Sequence, residues 1–180
     1  MTFLLLLACS GGGAQLGTDT STDTGSKHVV VAPALVINEF LASNDSTNAD
    51  SAGEYDDWVE IYNAGDTIVQ LDGFYISDDP EEPTKYALPE GQGIEAGGYV
   101  LVWCDGQPEQ QTATEVHTSF KLNRKGDYIY LNYYDGIGVG QADAVKWEAD
   151  QRADIAAARV PDGTKSWVNQ TPTPATSNGG

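Results

Sequence analysis

The strongest constraint on this chain is a series of short segments whose side chains alternate between apolar and polar, each closed off by glycine and aspartate. In Trp58-Val59-Glu60-Ile61-Tyr62, Val59 and Ile61 share one face. Phe74 and Ile76 alternate with Tyr75 and Ser77, and Ile129 and Leu131 with Tyr128 and Tyr130. From Leu35 onward, Val36, Asn38 and Phe40 alternate with Ile37, Glu39 and Leu41. Tyr99 to Trp103 is an unbroken apolar run, as expected of a strand in a sandwich core. Turn signals fall between these runs: Asn63-Ala64-Gly65-Asp66, Asp72-Gly73, Ala96-Gly97-Gly98, Asp105-Gly106, Tyr134-Asp135-Gly136 and Pro161-Asp162-Gly163. A period of two suits a pleated strand and not a helix. Short strands at this spacing predict an all-β sandwich or barrel. No internal repeat is visible. EADQRADIAAARV (residues 148–160) is ambiguous: its alanines favour helix, while Ile155, Ala157 and Arg159 alternate as in a strand.

The 180 residues carry a net charge of -18, unevenly spread. Glu39 to Glu115 holds 18 acids and a single base, Lys85, whereas Val116 to Gly180 holds seven of each. This charge argues against nucleic acid as a partner, because neutralising phosphates takes lysine and arginine. Cations, basic proteins and solubility remain as uses for such a surface.

The opening, MTFLLLLACSGGG, points to an address rather than a fold. Phe3 to Ala8 is far too short to span a bilayer, which takes about 20 apolar residues. It reads as the end of a secretory apolar region. Leu6-Leu7-Ala8-Cys9 resembles the bacterial lipobox, which implies cleavage before Cys9 and lipid on its thiol. Several acyl chains on one residue anchor stably where one is marginal. Ser10 in the following position resembles an outer-membrane address. Only Met1 and Thr2 precede the apolar run where a basic stretch is usual, which points either to a start further upstream or to an unusually short apolar region. SGGGAQLGTDTSTDTGSK (residues 10–27) has almost nothing to bury and reads as a disordered tether, with a span on the order of 25 Å. The expected organisation is a signal remnant over 1–9, a linker over 10–33 and a domain over 34–178. With Cys9 acylated, Cys104 has no disulfide partner and reads as a small residue at a strand end.

A family resemblance then emerges. VINEFLASN (36–44) and YDDWVEIYN (55–63) look like the opening of a bacterial lamin-tail domain. LDGFYISDD (71–79), IEAGGYVLVW (94–103) and the hairpin from Phe120-Lys121-Leu122-Asn123 to Tyr130-Leu131 continue it in order. RVPDG (159–163), Trp167, TPTP (171–174) and Asn178 resemble its closing segment. Cys104 and Ala175 stand where other small residues are usual. The resemblance implies an immunoglobulin-like β-sandwich and turns residues 154–160 towards strand.

No pattern of catalytic residues stands out. His117 reads as a polar loop histidine, and Ser119 is too close to it to build a triad. G-x-S-x-G and H-E-x-x-H motifs are absent. Two acidic clusters, one with Asp45, Asp50, Glu54, Asp56 and Asp57 and one with Asp78, Asp79, Glu81 and Glu82, are the candidate binding surface, represented by Asp56, Asp57, Asp78 and Asp79. Such loops suit calcium, yet the D-x-[DN]-x-[DN]-G spacing is missing, so turn chemistry accounts for them and no cofactor is assigned. Tyr128, Tyr130, Tyr133 and Tyr134 read as sheet packing, with an aromatic binding platform as the alternative.

The expected function is non-catalytic: a lipid-anchored envelope protein, at the outer membrane or secreted, presenting its domain to an envelope protein or polysaccharide. The rival is an accessory or catalytic domain of an extracytoplasmic hydrolase using the acidic loops, with calcium. The lipid attachment is testable: labelled palmitate should mark the protein in cells, and Cys9→Ala should abolish the label.

Overall fold

The computed structural model describes residues 28–179. The signal remnant, Cys9 and the first part of the linker lie outside the described residues. Twelve strands follow in order: β1 (Leu35–Leu41), β2 (Trp58–Asn63), β3 (Val69–Gln70), β4 (Phe74–Ser77), β5 (Tyr86–Ala87), β6 (Gly93–Ile94), β7 (Tyr99–Trp103), β8 (Val116–His117), β9 (Asp127–Tyr134), β10 (Val139–Trp147), β11 (Ala156–Arg159) and β12 (Trp167–Gln170). One sheet has the order β12-β11-β1-β2-β7-β8, a second β10-β9-β4-β5, and β3 pairs with β6 in a small ribbon. Pairing is antiparallel except between β7 and β8. This is the expected immunoglobulin-like sandwich. The alanine-rich segment is strand: Ala156 to Ala158 are buried, and pairing to β1 and β12 overrides helix propensity.

The core lies between the two large sheets. Val59, Ile61 and Val102 face Phe74, Ile76, Ile129 and Leu131, with Leu71 and Ile94 plugging one end. Each fully buried aliphatic or phenyl side chain contributes about 1.5–3 kcal/mol, so this layer dominates stability. At the seam between β1 and β10, Phe40 stacks on Trp147 with centroids 4.5 Å apart. At Gly73, φ is +81° and a Cβ would come within 2.8 Å of the Tyr134 carbonyl, so only glycine fits the approach to β4.

The strict alternation expected along β1 does not hold. Ile37 pairs with Ile61 but Glu39 pairs with Glu60, so Asn38 is the extra residue of a β-bulge. Leu35 and Ile37 face the core before the bulge, and Phe40 and Ala42 face it afterwards. Leu41 joins Trp58, Trp103 and Ala156 in a separate cluster.

The bulge places two carboxyls, Glu39 and Glu60, side by side and fully buried. The closing segment of the chain fastens onto them. The Thr173 N–H and hydroxyl donate to Glu39, and the Ala175 N–H donates to Glu60 Oε2 at 2.7 Å. Asn38 donates to Glu60 Oε1 at 3.1 Å and to Asp162 Oδ1 at 2.9 Å. Burial pushes Glu39 up to about 7, against the pull of the Thr173 donors. Burial likewise pushes Glu60 up to about 8, with Glu39 adding repulsion. Asp162 differs: burial raises it, but donors from Ser177, Asn38, Asn178 and Tyr99 outweigh that and hold it below its ordinary value. Across the sandwich, Arg159 donates to the Ile37 carbonyl and to Asp143 Oδ2, each at 2.7 Å.

The sign of the pH dependence follows. Both glutamates have folded pKa values above the ordinary 4.5, so the folded state binds more protons between that value and about 8. Their stabilising contribution is fully present below about pH 4.5 and is lost as pH rises through 7 and 8. The urea midpoint should therefore fall from about pH 4.5 and level off above about pH 8, and Glu60→Gln should flatten most of that fall.

Candidate functional site

The strand directions gather the acidic loops at one end of the sandwich. β1 ends at Leu41 where β2 begins at Trp58, and Trp58 pairs with Trp103 at the end of β7. In the facing sheet β4 ends at Ser77, which pairs with Tyr130 near the start of β9. Residues 42–57, 78–85, 104–115 and 148–155 therefore crowd around this end. Leu35, where the described chain enters the sandwich, pairs with Asn63 at the opposite end.

The four anticipated surface acids, Asp56, Asp57, Asp78 and Asp79, all lie at this acidic end, and most are committed locally. Asp57 Oδ1 accepts the Asn44 N–H at 3.0 Å. Burial pushes Asp57 up to about 6, with the Asn44 bond opposing and Asp56 adding to the rise. Asp78 pairs with Lys85 at 2.6 Å, and Asp79 Oδ1 accepts the Glu81 N–H in a turn. Asp56 differs: its Oδ2 is buried without a partner. Burial raises its pKa, and Asp105 and Glu54 raise it further against the pull of Lys121. Asp154 clamps the neighbouring loop by accepting from Ser46 Oγ and the Asp45 and Ser46 N–H groups, which hold it down at about 2.

His117 is not the polar loop residue expected from sequence. It lies on β8, only 1% exposed, and its Nδ1 is 2.6 Å from Asp105 Oδ2. Asp105, itself 1% exposed, also accepts the Gln107 N–H through Oδ1. Asp50, 8% exposed, accepts the Glu54 N–H at 2.8 Å through Oδ1. One ligand atom from each of Asp50, Asp105 and His117 lies within 4.8 Å of the others, and the same holds for Asp50, Glu54 and Asp56. Glu54 Oε2 accepts from Gln107 and Gln110. Glu115 accepts from Ser51 N–H and hydroxyl, beside the histidine. Asp50, Asp105 and His117 are far apart in the chain and match no spacing motif. The available signal was the domain's lone histidine set between Val116 and Phe120, in a strand-like pattern.

No hydroxyl or thiol bonds to His117 Nε2, which makes no hydrogen bond and lies 3.9 Å from Glu115 Oε2. The dyad therefore lacks an activated nucleophile, and its burial closes it to a bulky substrate. The tyrosines do not form one platform. Tyr128 and Tyr130 stack 5.8 Å apart on the outer face, and Tyr133 packs on Phe74 in the interior.

The profile of the Lamin Tail Domain family matches residues 30–149. The chain belongs to the lamin tail domain family. This lamin tail domain is completed by β11, β12 and the closing segment, beyond the matched interval. It is also similar to two DNA ligases. One, from Cereibacter sphaeroides, is 37% identical over 67 residues, covering 34% of this chain and 10% of the ligase. The other, from a Ruegeria species, is 41% identical over 66 residues, covering 34% of this chain and 9% of the ligase. The chain thus spans about a tenth of these relatives' length.

Cys104 lies in the core of this lamin tail domain, where burial pushes its thiol well above the ordinary value. Its Sγ faces the Val102 carbonyl. In a Cys9→Ala chain, a thiol reagent at mildly alkaline pH should leave Cys104 unlabelled until denaturant unfolds the domain, then label one equivalent.

Proposed function

We propose that this protein is a lipid-anchored envelope protein that holds its lamin tail domain outward as a non-catalytic binding or scaffolding module. In this reading Cys9 carries the lipid, residues 10–33 form the tether, with His28 and Val30 at its end lying against the domain, and residues 34–178 form the displayed domain. One observation carries it: the described chain enters at the Leu35 end, and the acidic loops lie at the other. A seven-residue strand such as β1 spans about 20 Å, so a tether on the entering side would face the anionic end away from the bilayer. That distance exceeds the Debye length of about 8 Å at physiological salt, which would screen the acidic end from lipid headgroups.

The entering segment supports this direction. His28 Nε2 meets Asp135 Oδ2 at 2.6 Å, beside the turn between β9 and β10 at the entering end. The inaccessible His117–Asp105 dyad and the locally committed carboxylates favour docking over hydrolysis. The partner would be an envelope protein or polysaccharide carrying positive charge.

The test uses the Cys9→Ala chain applied to isolated envelope fractions. Retention released by moderate salt, and weakened when Asp78→Asn and Asp79→Asn are combined, is the expected result. Passage without retention would leave the domain as a spacer and overturn the binding role.

A further inference from the structure

Among the described residues, four buried side-chain polar atoms lack any hydrogen-bond partner: Asp50 Oδ2, Asp56 Oδ2, Gln110 Oε1 and His117 Nε2. All four belong to the acidic end. Asp50 is shared between the triplet with Asp105 and His117 and the triplet with Glu54 and Asp56. Gln110 reaches the same group by donating its Nε2 to Glu54 Oε2 at 3.0 Å. Unpaired buried polar atoms are rare in folded proteins, so four at one end of the fold require an explanation.

The chemistry of the four is uniform. Asp50 and Asp56 offer carboxylate oxygens. The Gln110 amide is oriented by its Nε2 donations to Glu54 and to Gln107 Oε1, which leave its carbonyl oxygen free. An ionised Asp105 only accepts, so its contact with Nδ1 places the imidazole proton on that nitrogen. In the neutral tautomer Nε2 then carries a lone pair, with Glu115 Oε2 3.9 Å away. With that tautomer the site is four acceptors with no donor. A water molecule has two protons to give and cannot satisfy all of them. A cation can satisfy acceptors without supplying protons.

We propose that Asp50 and His117 bind one divalent first-row transition cation, of zinc or manganese type, with Asp56 and Gln110 at the rim and Asp105 positioning the imidazole. A carboxylate that holds one ring nitrogen while the other faces the metal is the usual outer-shell arrangement for histidine ligands. The imidazole decides the metal class: nitrogen suits first-row transition ions, whereas calcium takes six to eight oxygens. The approach is from the side of Glu54, which is exposed, while His117 forms the closed floor. Around the site Asp50, Glu54, Asp56, Asp57, Asp105 and Glu115 are opposed by Lys121, the base that pulls on Asp56 and Asp57. A bound divalent charge offsets that repulsion. The site is independent of the lipid anchor and of any partner on the outer loops.

The test is metal titration of the chelator-stripped full chain carrying Cys9→Ala, which removes a competing thiol. Calorimetry should show one equivalent of Zn²⁺ or Mn²⁺, with Ca²⁺ and Mg²⁺ weaker by about tenfold or more. At a hundredfold excess over Kd, Tm should rise by roughly 5–10 °C. Asp50→Asn keeps the oxygen that accepts the Glu54 N–H, so it should fold while losing the binding. Asp56→Asn should fold and bind more weakly, and Asp105→Asn should weaken affinity about 10–100-fold. The nitrogen-15 resonance of His117 Nε2 should shift on Zn²⁺ addition, a signature that metal on surface carboxylates would not give. No saturable uptake of either transition ion, a preference for calcium, or binding undiminished in Asp50→Asn and Asp56→Asn would overturn the assignment.

Discussion

The pairing of β1 with β2, and the single inserted residue at Asn38, is the constraint from which the rest of the sandwich follows. Without the bulge, a strict period of two would put Ile37 and Leu41 on one face and Phe40 on the other. With it, Ile37 and Phe40 both enter the main core, and Leu41 is released to cover Trp58 and Trp103. The same insertion aligns Glu39 with Glu60. Two buried carboxyls on adjacent strands are unfavourable unless protons or donors are supplied. The closing segment supplies donors, through the Thr173 and Ala175 N–H groups. Residues 173–178 are therefore part of the fold, tied to β1 and β2 over a sequence separation of more than a hundred residues.

Much of this architecture was legible in the sequence, because a pleated strand writes its period directly into side-chain hydropathy. Val59, Ile61, Phe74, Ile76, Ile129 and Leu131 were readable as core from alternation alone, and glycine-aspartate pairs marked the turns. The bulge was not legible, because Asn38 occupies one position in VINEF like any other residue. Its effect appears only when the register against β2 is known. The alanine-rich stretch was ambiguous for another reason: alanine fits either backbone, and only pairing with β1 and β12 decides it. The glutamates within VINEF and VEIYN carried the family resemblance, but their physical role needed the distant TPTP segment to be placed beside them.

The acidic end shows the same limit at a functional scale. Sequence located the carboxylates in loops and grouped them by proximity along the chain. The fold regrouped them: Asp50 left the company of Asp45 for that of Asp105 and His117, while Asp78 was taken up by Lys85. A histidine read as a loop residue became a floor buried against Asp105, because β8 pairs in parallel with β7 and carries it under the loop. Long-range pairing of this kind leaves no local pattern to read.

The sheet margins carry a last consequence. β5 and β8 are two residues each, too short to template a foreign strand, but β10 presents nine residues at the border of its sheet. That border is interrupted by a register shift between Gln141 and Asp143, and the Val30 side chain lies within 2.7 Å of where a Gly140 Cβ would project. The incoming chain thus lies over the face of that border strand beside its irregularity, and a register shift on a border strand is one way natural sheets resist edge-to-edge growth. Truncating before Leu35 would spare every strand and still uncover the Gly138 and Gly140 stretch of that border strand.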